Sequence, residues 1–395
     1  MLSKRAELLK PATTARLSQM ARELEESGEE VIALDVGEPD FPTPDFICEG
    51  AKRAIDEGFT KYTETKGILP LRKKICEKLW KENGLFYEPE EIIVTVGAKQ
   101  AVYNALLSIC DTGDEVLVLI PSWFSYDDMV RLLGGTPVLV PTKLPGFTLD
   151  LAAIERAITP RTKAIILNSP NNPSGAIYDE DSQRALAEMA CRHDLYIISD
   201  EIYEKLIYGG QKHFSIASIS EEVQNRTFTI NGFSKAYCMT GWRVGYVAAR
   251  REYVDLMSKC QNRMTSGNSS ISQRAALAAL EGDQQVITEM RRAFEMRRDY
   301  MYRRLNAMDG VRCGKAEGAF YLMPDMREFM GKRVRDTPIL TTTALAEYIL
   351  QEAKVVVTDG ESFNYPGFVR ISYSNSMEQI EKAMDRMEIA LRKLL

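Results

Sequence analysis

The chain has 395 residues, enough for two or three packed units around a large core. Its 45% hydrophobic and 27% charged residues exclude a disordered or fibrous protein. A net charge of −6 disfavours nucleic acid as a partner, because that binding needs a concentrated positive surface.

Apolar runs such as residues 116–120 and 164–167 are far shorter than the roughly 20 residues that cross a bilayer, so no membrane span is expected. Residues 1–10 lack the apolar stretch of a secretion signal, and the expected location is the cytoplasm. Seven cysteines (48, 76, 110, 191, 238, 260 and 313) show no paired short spacing, which predicts free thiols rather than zinc binding. Only His193 and His213 occur, leaving little scope for a metal site or a histidine-based triad.

From about residue 90 to 250, β-rich runs alternate with amphipathic stretches, the pattern of repeated βα units in a parallel sheet. Strands are predicted at 92–96, 115–120, 137–140, 163–168, 196–200, 227–231 and 246–249. Several are continuously apolar, as strands covered on both faces are. Between them, 99–110 puts Ala101, Val102, Ala105, Leu106 and Ile109 on one helical stripe, and 182–192 does so with Ala185, Leu186 and Met189. After residue 280 come a long helical region, a strand pair around Val311 and 320–322, a helix, two more strands and a final helix, which predicts a second domain. The arginines 291, 292, 297, 298, 303 and 304, interrupted by Glu295 and Asp299, read as a solvated helix face.

Ligands of open α/β sheets bind beyond the carboxyl ends of the strands, and four predicted ends carry polar residues: 94–97, 167–170, 198–200 and 229–231. In 231–246, NGFSKAYCMTGWRVGY, Lys235 follows such an end. A lysine there can form an imine with an aldehyde cofactor if its surroundings lower the ammonium pKa; alone it also reads as a surface lysine. Arg243 offers a cation for a phosphate monoester or for an ordinary ion pair.

In 196–206, YIISDEIYEKL, Asp200 ends an apolar strand. It can keep a pyridine nitrogen protonated, making the ring an electron sink, or cap a helix. Tyr203 can hydrogen-bond the ring oxygen of such a cofactor. In 168–175, NSPNNPSG, Asn172 presents an amide to that same oxygen or stabilises the turn. In 94–100, VTVGAKQ, the N–H groups of Ala98 and Lys99 at a helix start form a phosphate cradle, while Gly97 by itself marks a turn. In 121–126, PSWFSY, Trp123 can stack on a flat ring or fill a core. In 368–374, FVRISYS, Arg370 sits in an apolar strand, a costly place for a cation unless a substrate carboxylate or an internal acid meets it.

Taken together and in this order, from Leu34 in LDVGEPDF to Ser374, these segments resemble the class I and II aminotransferases of pyridoxal-phosphate fold type I, and within them the bacterial aspartate aminotransferase subgroup. The resemblance implies an α/β fold with a large domain at 45–285, built on a mostly parallel seven-stranded sheet between helices. A smaller α+β domain at 286–395 would take in an amino-terminal arm, 1–44.

By the same resemblance, Lys235 is the Schiff-base lysine and the acid/base that moves a proton at the substrate α-carbon. Asp200 pairs with the ring nitrogen, Asn172 and Tyr203 hold the ring oxygen, and Trp123 stacks on the ring. Arg243, with Gly97, Ala98 and Lys99, holds the phosphate, and Ser234 is a further cofactor contact. Arg370 binds the substrate α-carboxylate, with Gly37, Trp123 and Asn172 beside it. Tyr62, in KYTETKGI, matches the tyrosine donated to the neighbouring phosphate across a homodimer interface, and the segment before Leu34 would pack on the partner.

Two departures stand out. Gly232 replaces a frequent serine three residues before the lysine, and Ser174 replaces the threonine of the NPTG turn. Lys99 resembles the lysine that the bacterial subgroup uses for a distal carboxylate, which implies aspartate or glutamate as donor and 2-oxoglutarate or oxaloacetate as acceptor; it also reads as a solvent-facing lysine. Broad, aromatic or prephenate-like specificity and a carbon–sulfur β-lyase are the alternatives. A cofactor-binding regulatory module is expected to need more chain before Leu34 for a DNA-binding head.

Overall fold

The computed structural model describes residues 7, 13–334 and 337–395; the reading of residues 1–10 falls almost wholly outside them. In chain order the strands of the main region are β1 (Ile32–Ala33), β2 (Ile92–Val96), β3 (Glu115–Ile120), β4 (Thr136–Pro141), β5 (Thr162–Asn168), β6 (Tyr196–Asp200), β7 (Thr227–Gly232) and β8 (Val244–Ala248). Seven of them form one sheet in the order β2-β8-β7-β6-β5-β3-β4. β8 runs antiparallel to both neighbours, and every other pair is parallel. The carboxyl ends of β2, β5, β6 and β7 therefore share one edge, as the strand-end reading required.

The sheet is covered on both faces. In β3 every residue is buried, and the pleat sends alternate side chains to opposite sides. Val116 and Val118 pack with Ala101, Val102, Ala105 and Leu106 of the helix Gly97–Ile109, whereas Leu117 and Leu119 pack with Leu186, Ala187 and Met189 of the helix Glu180–Arg192. Each such buried aliphatic contributes about 1.5–3 kcal/mol. That fixes the sheet rigidly beneath the loops at its carboxyl edge.

The remaining strands are β9 (Tyr321–Leu322), β10 (Arg333–Val334), β11 (Thr337–Pro338), β12 (Val355–Val356), β13 (Thr358–Asp359) and β14 (Val369–Ser372). β14 lies between β13 and β9 in an antiparallel sheet, and β1 pairs in parallel with β12. Val311, expected in a strand, is not in one: Gly310, Gly314 and Gly318 interrupt the run, glycine weakens strands, and Tyr321 and Leu322 pair instead with Ser372 and Ile371.

One further expectation changes. The arginine-rich stretch is helical, within Gln285–Ala307, but it is not uniformly solvated. Arg298 is buried among Glu295, Asp299 and the Ala316 carbonyl, with its guanidinium 4.7 Å over the Tyr208 ring. The helix Thr13–Glu26 buries Leu17 against its own chain and pairs Arg16 with Glu347 at 2.9 Å. Among the described residues no helix is long and apolar enough to cross a membrane, and all seven cysteines are free.

Candidate active site

A cavity of about 540 Å³ opens at the carboxyl edge of the sheet. Strand ends and the loops after them deliver Ala98, Lys99, Trp123, Asn172, Asp200, Tyr203, Ser234, Lys235 and Arg243 to it. Gly37 arrives from the chain after β1 and Arg370 from β14. Gly37 and Arg370, 333 positions apart in the chain, are thus brought to one cavity.

Asp200 sits at the bottom, 4% exposed. Its Oδ2 accepts a 2.7 Å bond from the Tyr126 hydroxyl and its Oδ1 accepts from the Ile202 N–H at 3.2 Å. No helix follows β6 at once, so the helix-cap reading of Asp200 fails. Burial raises its pKa to about 6, against the two hydrogen bonds that lower it. Behind it, Glu201 is fixed by Ser199, Ser215 and His213 at 2.9, 2.7 and 2.7 Å, which anchors the strand end.

Four cations line the same cavity. Among the described residues, none of Lys99, Lys235, Arg243 and Arg370 has a carboxylate within ion-pair distance. Arg370 is buried, donates to Asn172 Oδ1 at 3.1 Å, to Thr358 Oγ1 at 3.3 Å and to the Asp35 carbonyl, and keeps its Nε without a partner. The internal-acid reading of Arg370 therefore fails. Lys235 Nζ donates to the Gly37 carbonyl, and burial, then the Arg370 charge, lower its pKa to about 8. Lys99 Nζ lies 4.8 Å over the Trp123 ring, and burial followed by the Arg243 charge lowers its pKa.

The helix Gly97–Ile109 begins over β8. Val96, at its cap position, has no side-chain acceptor, so the first N–H groups face the cavity unbonded by a cap. Gly97 has φ +73°, and a Cβ there would lie 2.5 Å from Arg243 Nη2. Only glycine lets the guanidinium close on this turn. Gly97 itself lies behind the lining, and Tyr62 is not in this cavity: it is 95% exposed, in a depression with residues 265–271.

Sequence reasoning missed several lining residues, among them Tyr126, Asn168, Ser18, Asp35 and Tyr321. Tyr126 lay inside a segment already singled out, three residues after Trp123. Asn168, which bonds the Asp200 carbonyl and the Asn172 N–H, both at 2.9 Å, lay in another. Ser18, Asp35 and Tyr321 come from regions without strand-end signals and needed the tertiary structure. Gly232 is also explained. A Cβ there would stand 3.0 Å from both Gly245 Cα and the Val244 carbonyl, so a serine needs β8 to give way by a few tenths of an ångström.

The model of the family described as aminotransferase class I and II matches residues 29–387. The chain belongs to the class I and II aminotransferases. A probable aspartate/prephenate aminotransferase of Aquifex aeolicus is 43% identical over 396 residues, covering 100% of this chain and 99% of the relative. An aspartate aminotransferase of Geobacillus stearothermophilus is 43% identical over 98% of both chains. The crystal structure of the aspartate aminotransferase from Rhizobium meliloti matches with a TM-score of 0.97, at 40% identity and over 100% of both chains. The fold is thus fold type I, and this aminotransferase is a pyridoxal-phosphate-dependent transferase.

The residues present fit that cofactor. A buried carboxylate without a cationic partner suits a protonated ring nitrogen, and an uncapped helix start beside an unpaired arginine suits a phosphate. The lysine between them has the lowered pKa that attack on an aldehyde needs.

Proposed function

We propose that this aminotransferase uses L-aspartate or L-glutamate as donor and 2-oxoglutarate or oxaloacetate as acceptor, in alternating half-reactions. The observation that carries this reading is the number of unpaired cations in one cavity. Arg243 with the helix start would take the cofactor phosphate, and Arg370 the substrate α-carboxylate. Lys99 remains, and a second, distal carboxylate is the anion that suits it. The names of the relatives from Geobacillus stearothermophilus and Rhizobium meliloti support the same substrates.

When bound, pyridoxal phosphate supplies an electron-withdrawing ring that makes the substrate α-carbon acidic. Asp200 holds the proton on the ring nitrogen through its buried carboxylate, kept in place by Tyr126 and the Ile202 N–H. Asn172 and Tyr203 would donate to the ring oxygen, Trp123 would stack on the ring, Ala98 and Lys99 would hold the phosphate, and Ser234 would add a further cofactor contact. Arg370 and the backbone at Gly37 orient the substrate. Lys235 Nζ, as a neutral amine, would be the base that takes the proton from the substrate α-carbon.

Two larger features belong to the same proposal. The chain divides at 45–285 and at 1–44 with 286–395, supported by the β1–β12 pairing, which joins the two ends of the chain. The protein works in the cytoplasm as a homodimer in which Tyr62 reaches the partner's phosphate site, supported by a tyrosine 95% exposed on a single chain. Light scattering that finds an active monomer overturns the dimer.

Mixing the yellow enzyme with single amino acids tests the substrate. Aspartate and glutamate should convert the spectrum to the amine form of the cofactor at the lowest concentrations. Faster conversion by aromatic amino acids, or pyruvate and ammonia released from cystathionine without a keto acid, overturns the reading. The Aquifex aeolicus relative, named for prephenate as well, makes prephenate the first additional acceptor to try.

A further inference from the structure

Tyr203 and Tyr321 both line the cavity, and their hydroxyls stand 3.1 Å apart with both rings fully buried. Either oxygen could donate. A phenol has one proton, so the direction of this bond decides whether Tyr203 has a hydrogen left for anything else.

Three observations set the direction. Tyr321 has no other described hydrogen-bond partner, and its hydroxyl faces Gly37, which has no side chain to accept. The Arg370 guanidinium lies 4.4 Å over the Tyr321 ring, and a cation on the π face draws electron density from the phenol and strengthens its O–H as a donor. The cation over the Tyr203 ring, Lys235, is farther off, at 6.0 Å, so the Tyr203 oxygen is the better acceptor of the two.

We propose that Tyr321 is the donor in this pair, and that as a positioning residue it leaves the single Tyr203 proton directed into the cavity, toward the cofactor's ring oxygen. The proposal rests on the reading that Tyr203 contacts that oxygen. It gives Arg370 a second task besides carboxylate binding, since the same guanidinium polarises the phenol that orients Tyr203.

The test is the pH titration of the visible absorption of substrate-free holoenzyme, which reports the proton affinity at the lysine–cofactor linkage. A hydrogen bond to the ring oxygen stabilises its anionic form and lowers that affinity, so Tyr203→Phe should move the transition to higher pH. Tyr321→Phe should move it the same way by a smaller amount, roughly half a pH unit, and should add nothing in the Tyr203→Phe background. A Tyr321→Phe shift of the same size with and without Tyr203 overturns the proposal. So does an unshifted transition accompanied by a raised KM, which would make Tyr321 a substrate contact only. If Tyr203→Phe alone shifts nothing, the reading of Tyr203 fails instead. Should Tyr321→Phe not accumulate, 3-fluorotyrosine at position 321, a stronger donor of the same shape, must move the transition to lower pH; an unmoved transition overturns the proposal.

Discussion

The Tyr126 hydroxyl donates to Asp200 Oδ2 at 2.7 Å, at the buried end of β6. This contact and the Ile202 N–H are what hold a carboxylate charged in a place that otherwise favours its neutral form.

Because burial raises the Asp200 pKa from 3.8 to about 6, the folded cofactor-free protein binds this proton more tightly than the unfolded chain does. Stability of that form should therefore fall as pH rises from about 4 to about 6, by on the order of 3 kcal/mol from this group. Asp200→Asn should flatten that part of the profile in denaturant titrations, and an unchanged slope would count against the raised pKa. The same variant should lose most transamination activity, because an amide cannot hold the ring nitrogen's proton by charge.

Lys235 has a pKa lowered to about 8, first by burial and then by Arg370. The rate at which cofactor-free enzyme recaptures pyridoxal phosphate should rise with pH and level off near 8 rather than near 10.5. Lys235→Ala should keep the fold, seen by circular dichroism, and lose both activity and borohydride-trappable cofactor. Full activity in that variant would overturn the assignment of the lysine.

Removing the Arg370 guanidinium should cost roughly 100- to 1,000-fold in kcat/KM, the scale of losing a charge-assisted carboxylate contact. Because Arg370 also depresses the Lys235 pKa, Arg370→Ala should move the recapture profile to higher pH. Steady-state kinetics and recapture rates check the two effects separately.

Gly232→Ser should destabilise the protein by about 1–3 kcal/mol, since the new Cβ meets two backbone atoms of β8 at 3.0 Å. Urea unfolding would show it. A neutral result would mean that β7 and β8 can separate at little cost.

Much of the fold was legible because strands covered on both faces must be continuously apolar and helices must show a stripe. Runs such as EVLVLI at 115–120 and the alanine–leucine stripe of 99–110 therefore announce themselves. The second sheet was less legible. Its strands have two to four residues, too short for periodicity, and the partner of Tyr321 lies fifty residues on, so the pairing with Val311 was misjudged.

What the sequence determined by itself was chemical identity and order: a lysine, an aspartate and an asparagine at or just beyond strand ends that a parallel sheet must place on one edge. The tertiary structure alone decided the contacts that tune them. Tyr126 under Asp200, Tyr321 between Tyr203 and Arg370, and the closeness of β8 to Gly232 all depend on distances that only the packed chain sets. Hydrogen bonds and pKa values are set by those distances, and local residue patterns do not encode them.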